Sequence, residues 1–290
     1  MNKSFILALF AIFLTIVSNS IYCQNSDKDK ELNEFFRKYT EAREKIDVLV
    51  AEFTQKSIYP DETYATSGKL IFVKPRRLVF YTEDPKKYTV IENKKIYEYE
   101  PDIKQITIYD LDDQIDTELF FLAFAQDLNE LRKKYHVVPI QLSDERGKNG
   151  VSIKPFKENE EDAPFEEIVL YLRDENFLPY RLRIVNKDDV QTIVDFEKME
   201  INGKISLEDT QIYLPSGTNV IENDVQKEIV SGEGKRIPEP AQLDPKYIGA
   251  ASLKNTEDIG KSVEKSKDTK PLGMQPKVEI EEKDLEPIKK

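Results

Sequence analysis

The chain has no tryptophan, one cysteine, one histidine, three methionines and ten glycines in 290 residues. Each scarcity removes a class of chemistry. With Cys23 as the only cysteine no intramolecular disulfide can form, so an exported fold must rest on its core. With His136 as the only histidine there is no His or Cys cluster at metal-ligand spacing, and no nucleophile with a histidine base beside it stands out. Glycine does not assemble a phosphate loop, because Gly232-Glu233-Gly234 has no strand–helix context. Acids are abundant, yet Asp112/Asp113 and Glu160/Glu161/Asp162 read as solvated loops, and nothing singles out a carboxylate pair. Basic charge is the minority: 43 Lys and Arg stand against 55 Asp and Glu, a net charge of -12, which speaks against nucleic acid as a partner. The reading is a non-enzyme with no catalytic residue, no metal and no cofactor.

Long apolar runs are also missing, apart from Phe5–Val17. That run follows Lys3, is short for a membrane span and gives way to polar residues, so residues 1–23 read as a signal peptide cut between about Ser20 and Cys23. The mature chain is then expected in a bacterial periplasm. Cys23 could carry a lipid anchor, but the bulky Tyr22 before it departs from the usual small-residue pattern.

What is present is aromatic and β-branched: 15 Phe and 14 Tyr, enough for a sizeable core. Glu31–Phe53 reads as a helix on the spacing of Leu32, Phe35, Phe36, Tyr39, Ile46, Leu49, Val50 and Phe53. Strand-like runs follow at Tyr64–Val73, Leu78–Thr82, Tyr88–Ile91, Lys95–Glu100 and Gln105–Leu111, punctuated by Pro75, Pro85, Asn93 and Pro101-Asp102. Glu118–Tyr135 reads as a second helix, apolar nearly all round at Leu119–Ala125. Further strands are expected at Val137–Ser143, Gly150–Pro155, Phe165–Arg173, Leu178–Val185, Gln191–Glu200 and Ser206–Leu214, with Asn202-Gly203 as a hairpin signal. No βαβ crossover is visible, and an antiparallel sheet of this size must curl or close.

The strands between Gly68 and Leu111 are apolar on both faces: Leu70 and Phe72 on one, Ile71 and Val73 on the other. An antiparallel sheet needs only one dry face, so the second requires a cover of side chains, a lid or an apolar ligand. Composition changes after about Asn223, where apolar residues thin out between prolines and charges. The folded domain is accordingly placed at 24–222, and 223–290 is read as a charged, disordered tail.

The series Phe53-Thr54-Gln55-Lys56, Gly68-x-Leu70, Lys74-Pro75, Phe80-Tyr81, Pro85, Ile96-Tyr97-Glu98-Tyr99-Glu100-Pro101, Gln105, the apolar Leu119–Ala125 and Gln211–Gly217 resembles the periplasmic outer-membrane lipoprotein carrier family, LolA, over roughly residues 40–222. The resemblance implies a mainly β fold with helices (α+β), an incomplete, curved antiparallel β-barrel with a helical lid over an apolar cavity for acyl chains. It implies a monomeric carrier of acylated lipoproteins or other envelope lipids, loaded by an inner-membrane donor complex and unloaded at an outer-membrane acceptor. The alternative is a lipid-binding or sensory envelope-stress domain on the same scaffold. Cavity-lining positions are then Leu70, Phe72, Phe80, Ile96, Ile106, Ile108, Leu119, Leu122, Ile168 and Leu170. Strand parity does not say which face is inward; the side bearing Phe72 and Phe80 is chosen. Where well-known relatives carry an arginine before the proline this chain has Lys74, which keeps the charge without the planar fork and is assigned to lid closure.

Overall fold

The structure is a computed structural model that describes residues 30–111, 121, 123–124, 128–161, 163 and 165–249. The signal segment 1–23 with Cys23, the positions Leu119 and Leu122, and residues 250–290 lie outside the described residues.

Residues 30–44 form helix α1. The expected helix through Phe53 ends early, because Val48–Ile58 is already strand β1. The strands β2 (Thr63–Val73), β3 (Arg77–Glu83), β4 (Lys86–Glu92), β5 (Lys95–Glu100) and β6 (Gln105–Asp110) follow as an antiparallel meander. The short helix α2 (Asn129–Lys134) leads into β7 (Tyr135–Asp144) and β8 (Gly147–Pro155). Then come β9 (Glu167–Leu172), β10 (Pro179–Val185) and β11 (Gln191–Ile201). Asn93 and Lys94 both have positive φ, 46° and 62°, as a two-residue hairpin turn matching the strand twist requires.

With β13 (Asn219–Glu222) and β14 (Val225–Ile229), thirteen strands make one sheet in the order β14-β13-β6-β5-β4-β3-β2-β1-β11-β10-β9-β8-β7. β1 joins the two meanders by pairing with β2 on one side and β11 on the other. The sheet is curved and open, with β14 and β7 at its ends. It is not wholly antiparallel as the sequence suggests: β13 (Asn219–Glu222) crosses over to lie parallel to β6.

The described fold also runs past the expected boundary at 222. Asn223 and Asp224, with φ of 49° and 62°, turn β13 into β14 (Val225–Ile229). β12 (Ile212–Leu214) pairs with β15 (Lys235–Ile237), and Pro245–Tyr247 makes a 3₁₀ turn. Composition missed this segment because it contributes only scattered buried residues, Val230, Pro238, Ala241 and Tyr247, among more exposed ones. Asn202-Gly203, read as a hairpin, instead ends β11. Its side-chain carbonyl accepts from the backbone N–H of Asp47 (2.9 Å) and Val48 (3.1 Å), and its amide donates to the Lys45 carbonyl (2.7 Å). Asn202 thus fixes the junction between α1 and β1.

Two apolar layers result. On the inner face Leu49, Ala51, Phe53, Leu70, Phe72, Leu78, Ile91, Val151, Ile153, Ile168, Leu170 and Phe196 pack against Tyr39 of α1 and against Leu111, Phe121, Ala123, Phe124, Leu128 and Leu131. On the outer face Val48, Ile71, Val73, Val79, Val90, Tyr99, Ile106 and Ile108 pack against Ile205, Ile212, Leu214, Val230, Ala241 and Tyr247. The second cover that the doubly apolar strands call for is therefore the chain's own C-terminal segment.

Candidate functional site

Register decides which apolar residues meet. Leu70 stands opposite Phe80, Phe72 opposite Leu78, Leu78 opposite Ile91, and Ile91 opposite Ile96, so these share the inner face. Ile168 and Leu170 reach the same face from β9. Ile106 and Ile108 do not. They stand opposite Tyr99 and Tyr97 and belong to the outer layer. The sequence could not separate the two sets, because a period of two carries no information where both faces are apolar. Leu119 and Leu122 lie outside the described residues.

The inner face is filled by the protein's own aromatics. The Phe72 ring stacks on Phe124 at 5.6 Å and 21°, Phe124 meets Phe196 edge-on at 5.8 Å, and Phe53 meets Phe80 edge-on at 6.1 Å. Phe121, Ala123, Leu128 and Leu131 complete the layer, and the Arg76 guanidinium lies 5.1 Å over the Phe121 ring. Gly68 is required below Phe53: a Cβ there would come 1.8 Å from the Tyr81 carbonyl oxygen. Between α1 and α2 runs a surface cleft of about 450 Å³, lined by Phe36, Thr40, Glu44, Leu128 and Arg132 among others. The Arg132 guanidinium covers the Phe36 ring there at 4.7 Å.

Lys74 sits at the C-terminal end of α1. Its Nζ donates to the Glu44 carbonyl at 3.4 Å and lies 3.5 Å from Asp47 Oδ1, while its backbone N–H donates to the Asp47 carbonyl at 2.9 Å. A cation at a helix C-terminus is favourable, because the terminal carbonyls carry partial negative charge. Asp47 also accepts from the Tyr247 hydroxyl at 2.7 Å, which holds its carboxyl below the usual carboxylate range, with Lys74 acting in the same direction. The end of α1 and the outer cover thus share one carboxylate.

The sequence reading passed over Arg43. It occupies the core-facing stripe of α1 one turn after Tyr39, and it is fully buried. Its Nη1 donates to the Phe177 carbonyl at 2.5 Å, and its guanidinium lies 4.3 Å over the Tyr39 ring. Its Nε and Nη2 have no hydrogen-bond partner among the described residues. Burial pushes its pKa down, with Tyr39 opposing. The available signal was the gap in the apolar stripe between Tyr39 and Ile46, which a charged residue fills.

His136 is exposed on β7 and meets the Phe156 ring edge-on at 4.4 Å. Among the described residues no group of acids, Cys and His is placed to hold a metal ion, and no helix is long and apolar enough to cross a membrane. What the site can do chemically is bury apolar matter.

The family described as Outer membrane lipoprotein carrier protein LolA matches residues 44–209. An outer-membrane lipoprotein carrier protein of Bordetella avium is 27% identical over 180 residues, 61% of this chain and 82% of that protein. Its counterpart in Azotobacter vinelandii is 22% identical over 189 residues, 64% of this chain and 87% of that protein. Among solved structures, a LolA superfamily protein from Nitrosomonas europaea aligns over 59% of this chain and 93% of its own, with 11% identity and a TM-score of 0.33.

Proposed function

The chain belongs to the outer-membrane lipoprotein carrier family LolA, and from that premise we propose that it is a periplasmic carrier that shelters the acyl chains of lipoproteins, or of other envelope lipids, on its inner apolar face. Supporting this is one observation above all: the described cover of the inner face is α1 with Phe121, Phe124, Leu128 and Leu131 rather than another sheet layer. Such a cover can be exchanged for acyl chains. In this reading α1 acts as a lid, Phe121 and Phe124 occupy the space the cargo takes, and Lys74 latches α1 through the Glu44 carbonyl.

Burying acyl carbon gains roughly 0.8 kcal/mol per CH₂. Displacing Phe124 from Phe72 and Phe196 costs part of that gain. The net affinity is therefore moderated by the protein's own side chains, as a carrier that must release its cargo requires. The proposed cycle breaks no bond. It takes a lipid from an inner-membrane donor and delivers it, as a monomer, to an outer-membrane acceptor.

Binding of a fluorescent fatty-acyl probe tests the reading. Phe80 is only half-buried beside Phe53, so Phe80→Glu is expected to keep the far-ultraviolet β-sheet signal while losing probe binding, because water can reach the carboxylate when the lid opens. A parent protein that binds no probe would remove the acyl-carrier role. A Phe80→Glu variant that unfolds outright would identify the inner face as a permanently closed core.

A further inference from the structure

We propose that Arg43 is the receptor for an oxyanion, a carboxylate or a phosphate, on the acyl ligand that enters the inner face; this rests on the carrier reading above. Two arginines are buried among the described residues, Arg43 and Arg77, and they are used differently. Arg77 engages every nitrogen. Its Nε donates to Glu92 at 2.6 Å, its Nη1 to the Thr210 carbonyl at 3.1 Å and its Nη2 to the Glu239 carbonyl at 2.8 Å. It clamps the outer cover onto β3. Arg43 engages one nitrogen, Nη1, and leaves Nε and Nη2 without a partner.

The identity of the two idle nitrogens is informative. In a planar guanidinium Nε and Nη2 present parallel N–H bonds along one edge, and that edge grips two oxygens of a carboxylate or phosphate side by side. The opposite end of the group is already fixed by the Phe177 carbonyl, and its flat face rests on Tyr39. The fork is therefore held in place and vacant along its gripping edge. Leaving buried donors unsatisfied is costly, more so for a charged group. An apolar residue in the stripe of Phe35, Phe36, Tyr39 and Ile46 would avoid that cost. A bound oxyanion removes it instead.

Access and site coincide. Arg43 is fully buried, so a ligand reaches it only when α1 moves, and that same motion uncovers the apolar face. The acyl chain would lie against Phe72 and Leu70 while its acidic end meets Arg43. The carboxylate of a fatty acid and the phosphate of a phospholipid share this chemistry.

The test is displacement of the neutral dye N-phenyl-1-naphthylamine from the full mature chain by dodecanoate, dodecyl phosphate and dodecanol. One anion at least is expected to act at ~10-fold lower concentration than dodecanol, the scale of a charge-assisted hydrogen bond. Which anion leads identifies the source as fatty acid or phospholipid. Arg43→Met should erase the preference without weakening dodecanol, and Arg43→Lys should restore part of it. Equal displacement by all three in the parent protein, or a preference that survives Arg43→Met, overturns the proposal and leaves the carrier reading intact. Displacement by none of them sinks both. Should Arg43→Met fail to fold, the ¹⁵Nε resonance of Arg43 in the parent decides: a shift with an anion and not with dodecanol supports the assignment, and no shift overturns it.

Discussion

The two halves of the sheet solve the same packing problem in different ways. From β1 to β6 both faces are apolar and both are covered, the inner by α1 with Phe121, Phe124, Leu128 and Leu131, the outer by the chain after Ile205. From β7 to β11 the inner face is apolar, but the outer face is held by charge. Arg181 and Arg146 share Asp195 at 2.9 and 3.1 Å, Lys154 pairs with Glu167 at 3.2 Å, and Ser152 donates to Glu167 at 2.8 Å. The second half is an ordinary one-sided antiparallel sheet. The first half is a sandwich whose outer layer is almost strandless. The difference teaches that an excess of apolar strand residues need not signal a ligand: the outer layer here is satisfied by the chain after Ile205.

Removing the outer cover should break the comparison most severely. A chain ending at Asn223 loses Val230 and Tyr247 and the Glu239 carbonyl that Arg77 holds, and it exposes the partners of those groups. Buried side chains of that size contribute roughly 1.5–3 kcal/mol each, so the truncation should cost about 5 kcal/mol or more, a large part of a typical domain's stability. Urea denaturation would measure it. A midpoint equal to that of the parent would show that the outer layer is dispensable.

A single charge sharpens the same contrast. Ile71 lies fully buried under the outer cover, so Ile71→Asp is expected to cost about 4 kcal/mol or to prevent folding. On the outer face of the second half, Lys154→Ala removes an ion pair whose lysine is 57% exposed, and it should change stability by less than about 1 kcal/mol. Similar losses from both substitutions would erase the distinction between a packed face and a solvated one.

The smallest effect is expected at Asp47, where the outer cover meets the end of α1. Its folded-state carboxyl lies below the usual range because the Tyr247 hydroxyl donates to it. The stabilisation is therefore present above the ordinary carboxylate range and is lost as pH falls through the lowered value. Acid titration followed by amide exchange at Tyr247 should show the cover loosening before the sheet does. In Tyr247→Phe that early acid step should be absent; its persistence would assign the step to another carboxylate.

Much of this fold was legible before any coordinates. The meander from Tyr64 to Leu111 and the strands around Ile168 and Leu182 carry turn residues and β-branched runs that admit few other readings. The helix stripe on Phe35, Phe36 and Tyr39 was equally plain, though not the end of the helix at residue 44. Of the candidate lining positions, Leu70, Phe72, Phe80, Ile96, Ile168 and Leu170 fall on one face, whereas Ile106 and Ile108 fall on the other. Local pattern has no access to that distinction, since the register of β5 against β6 depends on the turn at Pro101–Lys104. Nor could it show that Asn223-Asp224 turns the chain into a hairpin rather than ending the domain.

By itself the sequence determined that the protein has two apolar sheet faces and an amphipathic helix before them, because periodicity and residue type are local properties. Only the tertiary structure decided what lies on each face. The outer cover comes from residues more than a hundred positions away from β2 and β3, and the burial of Arg43 depends on the Phe177 carbonyl, 134 positions along the chain. Contacts at that separation are set by how the whole sheet curves and pairs, and no short stretch of residues contains that information.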